Sequence, residues 1–153
     1  MENSISVCRL QKEHLASVAA LEALCFSQPW SEKSLELLLG ESGVGYVCLA
    51  GDEVAAYGGM MLNPWEGQIT NIATHPSHRR QGCGKAVTEA LLREAQSLGA
   101  EQVSLEVRIS NVGAIALYEG LGFEAVGTRK GFYQNPREDA LVMIMTFGKE
   151  REI

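Results

Sequence analysis

Long apolar runs are missing from this chain of 153 residues. No stretch reaches the roughly 18 apolar residues that a membrane-spanning helix needs. The opening MENSISVCRL has neither a basic start nor an apolar centre, so no signal peptide is expected. Cysteine is sparse, with Cys8, Cys25, Cys48 and Cys83. No pair has C-x-x-C spacing and no disulfide framework is visible, so reduced thiols in a cytoplasmic protein are the simplest expectation. Cys83, between Gly82 and Gly84, is the thiol expected to be accessible. Positive charge is in deficit: 13 Lys and Arg stand against 19 Asp and Glu, a formal net charge of -6. That balance disfavours nonspecific binding to nucleic acid. It would suit a cationic substrate, although solubility alone would produce it as well.

Several catalytic signatures are also missing. There is no G-x-x-x-x-G-K-[ST] phosphate loop, no G-x-S-x-G and no convincing Cys–His–acid arrangement. His75 and His78 have H-x-x-H spacing in a turn but no clear third ligand nearby, so no metal site is expected. Repeats, low-complexity tracts and linkers are absent, and one domain over residues 1–153 is expected.

What is present reads as an α/β chain with a mixed sheet. Strands are expected at Ser4–Leu10, Tyr46–Ala50, Val54–Leu62, Gly67–Thr74, Gln102–Ile109, Phe123–Arg129 and Asp139–Phe147. A hairpin turn fits at Gly51-Asp52, and Gly58-Gly59 suggests a bulge or a close approach of another segment. Helical stripes run over Glu13–Cys25, from a Ser31 cap with Leu35, Leu38 and Leu39 buried, from about Gly82 to Gly99, and over Asn111–Leu121. In the third of these, Val87, Ala90, Leu91, Ala95 and Leu98 recur at helical spacing.

The densest signal is Arg79-Arg80-Gln81-Gly82-Cys83-Gly84-Lys85, between a strand end near Thr74 and a helix start. Glycines let backbone approach a ligand, and a helix start offers unpaired N–H groups with a positive dipole end. Together these grip phosphate. A solvated basic turn is the bland alternative. It is less economical here, because strand, basic cluster, two glycines and helix follow in order. The turn lacks the third glycine and acidic strand end of a dinucleotide fingerprint.

In Val103–Ile109 the odd positions are apolar and the even ones polar, so Glu106 lies on a polar face in mid-strand. An ion-paired glutamate beside Arg108 would give the same pattern. Ser110 or Asn111 can cap the next helix, whose stripe is Ala114, Leu117 and Leu121, with Tyr118 one turn on from Ala114. Tyr118 could equally be a packed aromatic.

The R-x-x-G-x-G turn at Arg79, Gly82 and Gly84 resembles the signature of the GNAT acetyltransferases. The run L-E-V-R-I-S-N-V-G-A-I-A-L-Y-E-G-L-G-F looks like the RimI branch of that superfamily, the ribosomal-protein alanine N-acetyltransferases. So do F-S-Q-P-W-S-E-K-S-L at Phe26–Leu35, N-I-A-T-H-P at Asn71–Pro76 and G-F-Y-Q-N-P-R-E-D-A-L-V-M at Gly131–Met143. The resemblance covers nearly the whole chain. It implies a GNAT fold: a central, mostly antiparallel mixed sheet with a splayed parallel pair in the middle, flanked by about four helices. It implies acetyl-coenzyme A as cosubstrate, with Ile72, Ala73 and Thr74 pairing with the pantetheine arm. The pyrophosphate would sit on the turn Arg79, Arg80, Gln81, Gly82, Cys83, Gly84 and Lys85, and Asn111 would be a further coenzyme contact. It implies Glu106 as general base, Tyr118 as general acid, and loops around Trp30 and Tyr133 on the peptide side. The implied partner is a protein N-terminus, foremost the N-terminal alanine of small-subunit ribosomal protein number eighteen, with neither nucleic acid nor membrane involved.

The chemistry is consistent with those residue types. A peptide α-amine has a reference pKa of about 7.7–8.0, so a carboxylate can serve as its base near neutral pH, directly or through water. A lysine amine, near 10.4, needs more help. A tyrosine hydroxyl can give its proton toward a departing thiolate. Two rivals remain open at this stage: the same chemistry on a small amine or a lysine side chain, and a regulatory module that holds coenzyme A without turnover.

Overall fold

The computed structural model describes residues 5–147. Seven strands form one sheet in the order β1-β2-β3-β4-β5-β7-β6. In chain order the elements are β1 (Ile5–Arg9), α1 (Leu15–Cys25), α2 (Glu32–Leu35), β2 (Gly43–Ala50), β3 (Glu53–Leu62) and β4 (Glu66–Thr74). There follow α3 (Cys83–Ser97), β5 (Gln102–Arg108), α4 (Val112–Leu121), β6 (Glu124–Tyr133) and β7 (Glu138–Thr146). Single 3-10 turns occupy Lys12–His14, Glu36–Leu39 and Pro76–His78. All neighbouring strands are antiparallel except β4 and β5. This is the expected mixed sheet with a parallel pair at its centre and four helices around it.

The helices divide between the two faces. Leu15, Val18 and Leu21 of α1 and Leu35 of α2 pack with Leu38, Val47, Tyr57 and Ala73. On the other face, Leu91, Leu92 and Ala95 of α3 and Tyr118 of α4 pack with Val44, Met60, Ile69, Val103, Leu105 and Val107. Tyr57 and its neighbour Ala56 belong to different clusters, as the period-two alternation of a strand requires. Each wholly buried Leu or Val contributes about 1.5–3 kcal/mol over an exposed one, so both helix layers are anchored by their apolar stripes.

The central pair separates almost as soon as it forms. Register between β4 and β5 runs only from Glu66↔Gln102 to Gln68↔Ser104. One residue later β4 bulges: Ile69 faces Met60 and Asn71 faces Gly59, which leaves Thr70 as the extra residue. A bulge bends its strand, and here the bend coincides with the divergence. Beyond it, β4 stays paired with β3 through Thr74, and β5 with β7 through Arg108. The two inner strand edges thus face one another across a gap, not a ladder. The glycines of β3 allow this crowding. A Cβ on Gly58 would lie 2.7 Å from Ile72 Cδ1, and one on Gly59 would lie 2.7 Å from Thr70 Oγ1.

Several sequence expectations need correction. Cys83 is not accessible but buried in a small cluster with Cys48, Ala55, Ala56 and Val87, because its side chain turns from the helix start into the sheet. Leu39, Leu98 and Ile109 are exposed, since each lies where a helix or strand ends and its apolar face leaves the core. The second helix shortens to one α-turn followed by a 3-10 turn, although Ser31 does cap it by accepting from the Ser34 N–H at 3.1 Å. α1 begins at Leu15, after the Lys12–His14 turn. β2 begins at Gly43, because ladder pairing overrode weak local propensity at Gly43 and Gly45, and β6 continues to Tyr133, which pairs with Glu138 after an irregularity beyond Arg129. Of the first expected strand, Ser4 lies outside the described residues.

Candidate functional site

Two clefts open on the gap between β4 and β5, and both are lined by Cys25, Phe26, Ile72, Asn111, Ala114 and Tyr118. They are therefore the two ends of one passage through the sheet.

The first cleft has a volume of about 540 Å³ and adds Ala73, Thr74, Arg79, Arg80, Gly82, Cys83, Gly84 and Lys85. Gly82 precedes α3 with φ 84°, and Arg80 also has positive φ, 66°. A left-handed residue before a helix turns successive N–H groups toward one point. The first intrahelical bond runs from the Ala86 N–H to the Gly82 carbonyl at 2.9 Å. The N–H groups of Cys83, Gly84 and Lys85 consequently have no helical partner and point out of the helix start. Arg79, Arg80 and Lys85 surround them with positive charge in a chain of net charge -6. The close packing of α3 on β4 depends on Gly84, where a Cβ would stand 3.1 Å from Thr74 Oγ1. Such a site suits a pyrophosphate. The open inner edge at Ile72–Thr74 suits an extended chain that carries amides. Asn111 caps α4 by accepting from the Ala114 N–H at 3.2 Å and so stands at the cleft wall. Gln81 does not line the cleft; its Oε1 lies 3.5 Å from His78 Nδ1.

The second cleft has a volume of about 450 Å³ and opens toward α1 and the β6–β7 hairpin. Its walls include Ser27, Gln28, Trp30, Asn71, Glu106, Arg108, Phe132 and Tyr133. Glu106 Oε2 pairs with Arg129 Nε of β6 at 3.1 Å. The alternative that sequence left open, a pair with Arg108, is not made. Arg108 instead donates to the carbonyls of Gln134 at 2.8 Å and Pro136 at 2.9 Å, and to Glu138 Oε1 at 3.1 Å. Its guanidinium also lies over the Tyr133 ring at 4.6 Å. These contacts hold the hairpin tip above the end of β5. The Ser27 hydroxyl then donates to the Gln134 carbonyl at 3.4 Å, so the loop after α1 and the hairpin tip meet.

Electrostatics separate the tyrosines from the acids. Burial raises the Tyr118 hydroxyl above its ordinary value, with a smaller push from Tyr133, and no hydrogen bond to it opposes the shift. Burial also raises Tyr133, to about 12, assisted by Glu106 and opposed by Arg108. Glu138 is held below its ordinary value, chiefly by the Ser110 hydrogen bond. Both tyrosines are therefore protonated near neutral pH. The Cys25 thiol is raised by burial, which outweighs the Arg79 guanidinium beside it.

Residues 15–123 match the Acetyltransferase (GNAT) family. The chain belongs to the GNAT acetyltransferase family. It is 34% identical over 142 residues to the [ribosomal protein bS18]-alanine N-acetyltransferase of Escherichia coli K12, covering 92% of this chain and 96% of that one. The enzyme of that name from Salmonella typhimurium is 34% identical over 145 residues, with 94% and 97% covered. The crystal structure of the Escherichia coli ribosomal-protein-S18-alanine N-acetyltransferase superposes with a TM-score of 0.86 over 95% of this chain and 97% of that chain, at 32% identity. The acetyltransferase is thus an enzyme that uses acetyl-coenzyme A, and its basic turn before α3 and open strand edge fit that cosubstrate.

Of the residues singled out from sequence, Glu106, Tyr118, Trp30 and Tyr133 come together around the passage in this acetyltransferase. Ile72, Ala73, Thr74, Arg79, Arg80, Gly82, Cys83, Gly84, Lys85 and Asn111 line the first cleft. Sequence reading missed Cys25, Phe26, Asn71 and Arg129. Asn71 carried a weak signal, a polar side chain next to Ile69, Ile72 and Ala73 in β4; the others depend on how loops and edges fold over.

Proposed function

We propose that this enzyme transfers the acetyl group of acetyl-coenzyme A to a protein N-terminal α-amine, foremost the N-terminal alanine of a small-subunit ribosomal protein. The observation that carries this reading is one passage with a phosphate grip at one end and a carboxylate, Glu106, on the wall of the other, with Tyr118 between. The names of the relatives, which cover almost their full lengths, support the acceptor class.

In this reading the amides of Cys83 to Lys85, with Arg79, Arg80 and Lys85, hold the pyrophosphate, and Gln81 shapes the turn. The Ile72–Thr74 edge aligns the pantetheine arm and, through backbone N–H, polarises the carbonyl under attack. Asn111 adds a contact at the mouth. Acetyl-coenzyme A supplies the acetyl group as a thioester. Glu106 takes the acceptor's proton, directly or through one water, once the acceptor displaces Arg129. Tyr118, which burial keeps protonated, is the general acid toward the departing sulfur. Trp30 and Tyr133 flank the acceptor peptide. No described helix is long and apolar enough to cross a membrane, and the reading locates the enzyme, as one domain over 1–153, in the cytoplasm with its donor.

The test follows coenzyme A thiol release with two peptides. One begins with a free alanine; the other has that amine blocked and an internal lysine free. Release with the first alone is expected. Release with the second alone moves the acceptor to lysine, and release with neither, while polyamines are acetylated, moves it to small amines.

A further inference from the structure

Glu22, on α1, is wholly buried. Its Oε2 accepts from Asn71 Nδ2 at 2.8 Å and from the Tyr57 hydroxyl, and its Oε1 accepts from the Trp30 N–H at 2.8 Å. Among the described residues no lysine or arginine pairs with it. A buried carboxylate satisfied only by neutral donors adds little to stability beyond what an apolar residue would. What it does determine is orientation, because a carboxylate only accepts and its three partners must each turn a donor toward it. The Trp30 donor is a backbone N–H fixed by the chain, and the Tyr57 hydroxyl has a single hydrogen that rotates to suit. For Asn71 there are two orientations, and Glu22 selects the one with the NH₂ group turned inward.

The consequence lies on the other side of the amide. With Nδ2 committed to Glu22, Asn71 Oδ1 is the free end of a side chain that lines the second cleft. No described group donates to that oxygen, and it is not among the buried polar atoms left without a partner, of which Thr70 Oγ1 is the single described case. Oδ1 is therefore not sealed from solvent, and the side chain that carries it lines the cleft. Asn71 and Glu106 line the same cleft from opposite sides of the gap, one on β4 and one on β5.

We propose that Asn71 is a further acceptor-binding residue, whose side-chain carbonyl receives an N–H of the incoming amine, and that Glu22 is the positioning residue that aims it. This rests on the α-amine reading above and deepens it. A neutral primary amine has two N–H groups and one lone pair. The lone pair attacks the carbonyl carbon as the new C–N bond forms and the C–S bond breaks. One N–H proton passes to Glu106, and the other stays on nitrogen, hydrogen-bonded to Asn71 Oδ1 through the step. An alcohol or thiol has no second hydrogen to give, so the pair Glu106 and Asn71 selects for primary amines.

The experiment compares Asn71→Leu and Glu22→Gln with the wild-type chain on an alanine-initiated peptide, and measures acetyl-coenzyme A affinity directly. Asn71→Leu keeps the size of the side chain and removes the acceptor. Glu22→Gln keeps the buried volume but offers donor and acceptor at once, so Asn71 is no longer aimed. Both variants are expected to lose tenfold or more in kcat/KM, mainly through a higher KM for peptide, with acetyl-coenzyme A affinity within twofold. If Asn71→Leu does not fold, Glu22→Gln and Asn71→Ser carry the comparison. Peptide kinetics within twofold of wild type, or equal losses for peptide and donor, would overturn the proposal. A wild-type chain that acetylates no peptide α-amine overturns the parent reading first, and is told apart because there is then no rate for the variants to lose.

Discussion

Replacing Tyr118 by Phe removes a single oxygen at the centre of the passage. The residue is 7% exposed, and its ring keeps the edge contact with Phe123 at a centroid distance of 5.7 Å. No described group hydrogen-bonds to the hydroxyl, so its loss orphans no partner, and the change in stability is expected to stay within about 0.5 kcal/mol. A positioned general acid contributes roughly 10² to 10⁴ in rate. At 1.36 kcal/mol per decade this is about 2.7–5.4 kcal/mol of transition-state stabilisation, far above the effect on folding. The expected outcome is a fall in kcat of at least a hundredfold, with unchanged acetyl-coenzyme A affinity and thermal midpoint. Thiol release at saturating peptide and a ligand-induced thermal shift measure the two sides. Turnover within threefold of wild type would refute the role assigned to Tyr118. A parallel loss of donor affinity would show that the hydroxyl binds substrate and does not act in the chemical step.

Gly82→Ala tests the phosphate grip. A Cβ there meets nothing within 4 Å, so the penalty comes from φ 84° alone, about 1–2 kcal/mol. Denaturant unfolding should show that loss, and KM for acetyl-coenzyme A should rise while KM for peptide does not. Alkaline pH tests the burial of Tyr133. Its value rises from 10.0 to about 12 on folding, so its favourable contribution is whole below pH 10 and lost as pH climbs toward 12. The stability of Tyr133→Phe should therefore fall less over that window than that of the wild-type chain, measured by unfolding at each pH.

The donor half of the candidate site was legible in the sequence because its parts are contiguous. Arg79 to Lys85 is a local device: a turn, two glycines and a helix start act within seven neighbouring residues. Asn111 was legible for a similar reason, since a cap acts on the helix that it begins. The acceptor half was harder. Glu106 stood out from strand alternation, but its partner could be guessed only locally. Arg108 is two residues away in the chain, whereas Arg129 reaches Glu106 from the edge strand β6 at 3.1 Å.

Other failures share that cause. Cys83 looked accessible between two glycines, and became buried because the first turn of α3 lies against β2 and β3. Glu22 was not singled out within the Glu13–Cys25 stripe, and only the packing of α1 on β3 and β4 brings Tyr57 and Asn71 to it. By itself the sequence determined the order and type of the elements, the basic, glycine-containing turn before α3 and the family resemblance, because these depend on neighbours a few residues apart. The tertiary structure decided where β4 leaves β5, which charges pair, and which way the Asn71 amide faces. Those outcomes depend on contacts between segments tens of residues apart, whose geometry no local pattern encodes.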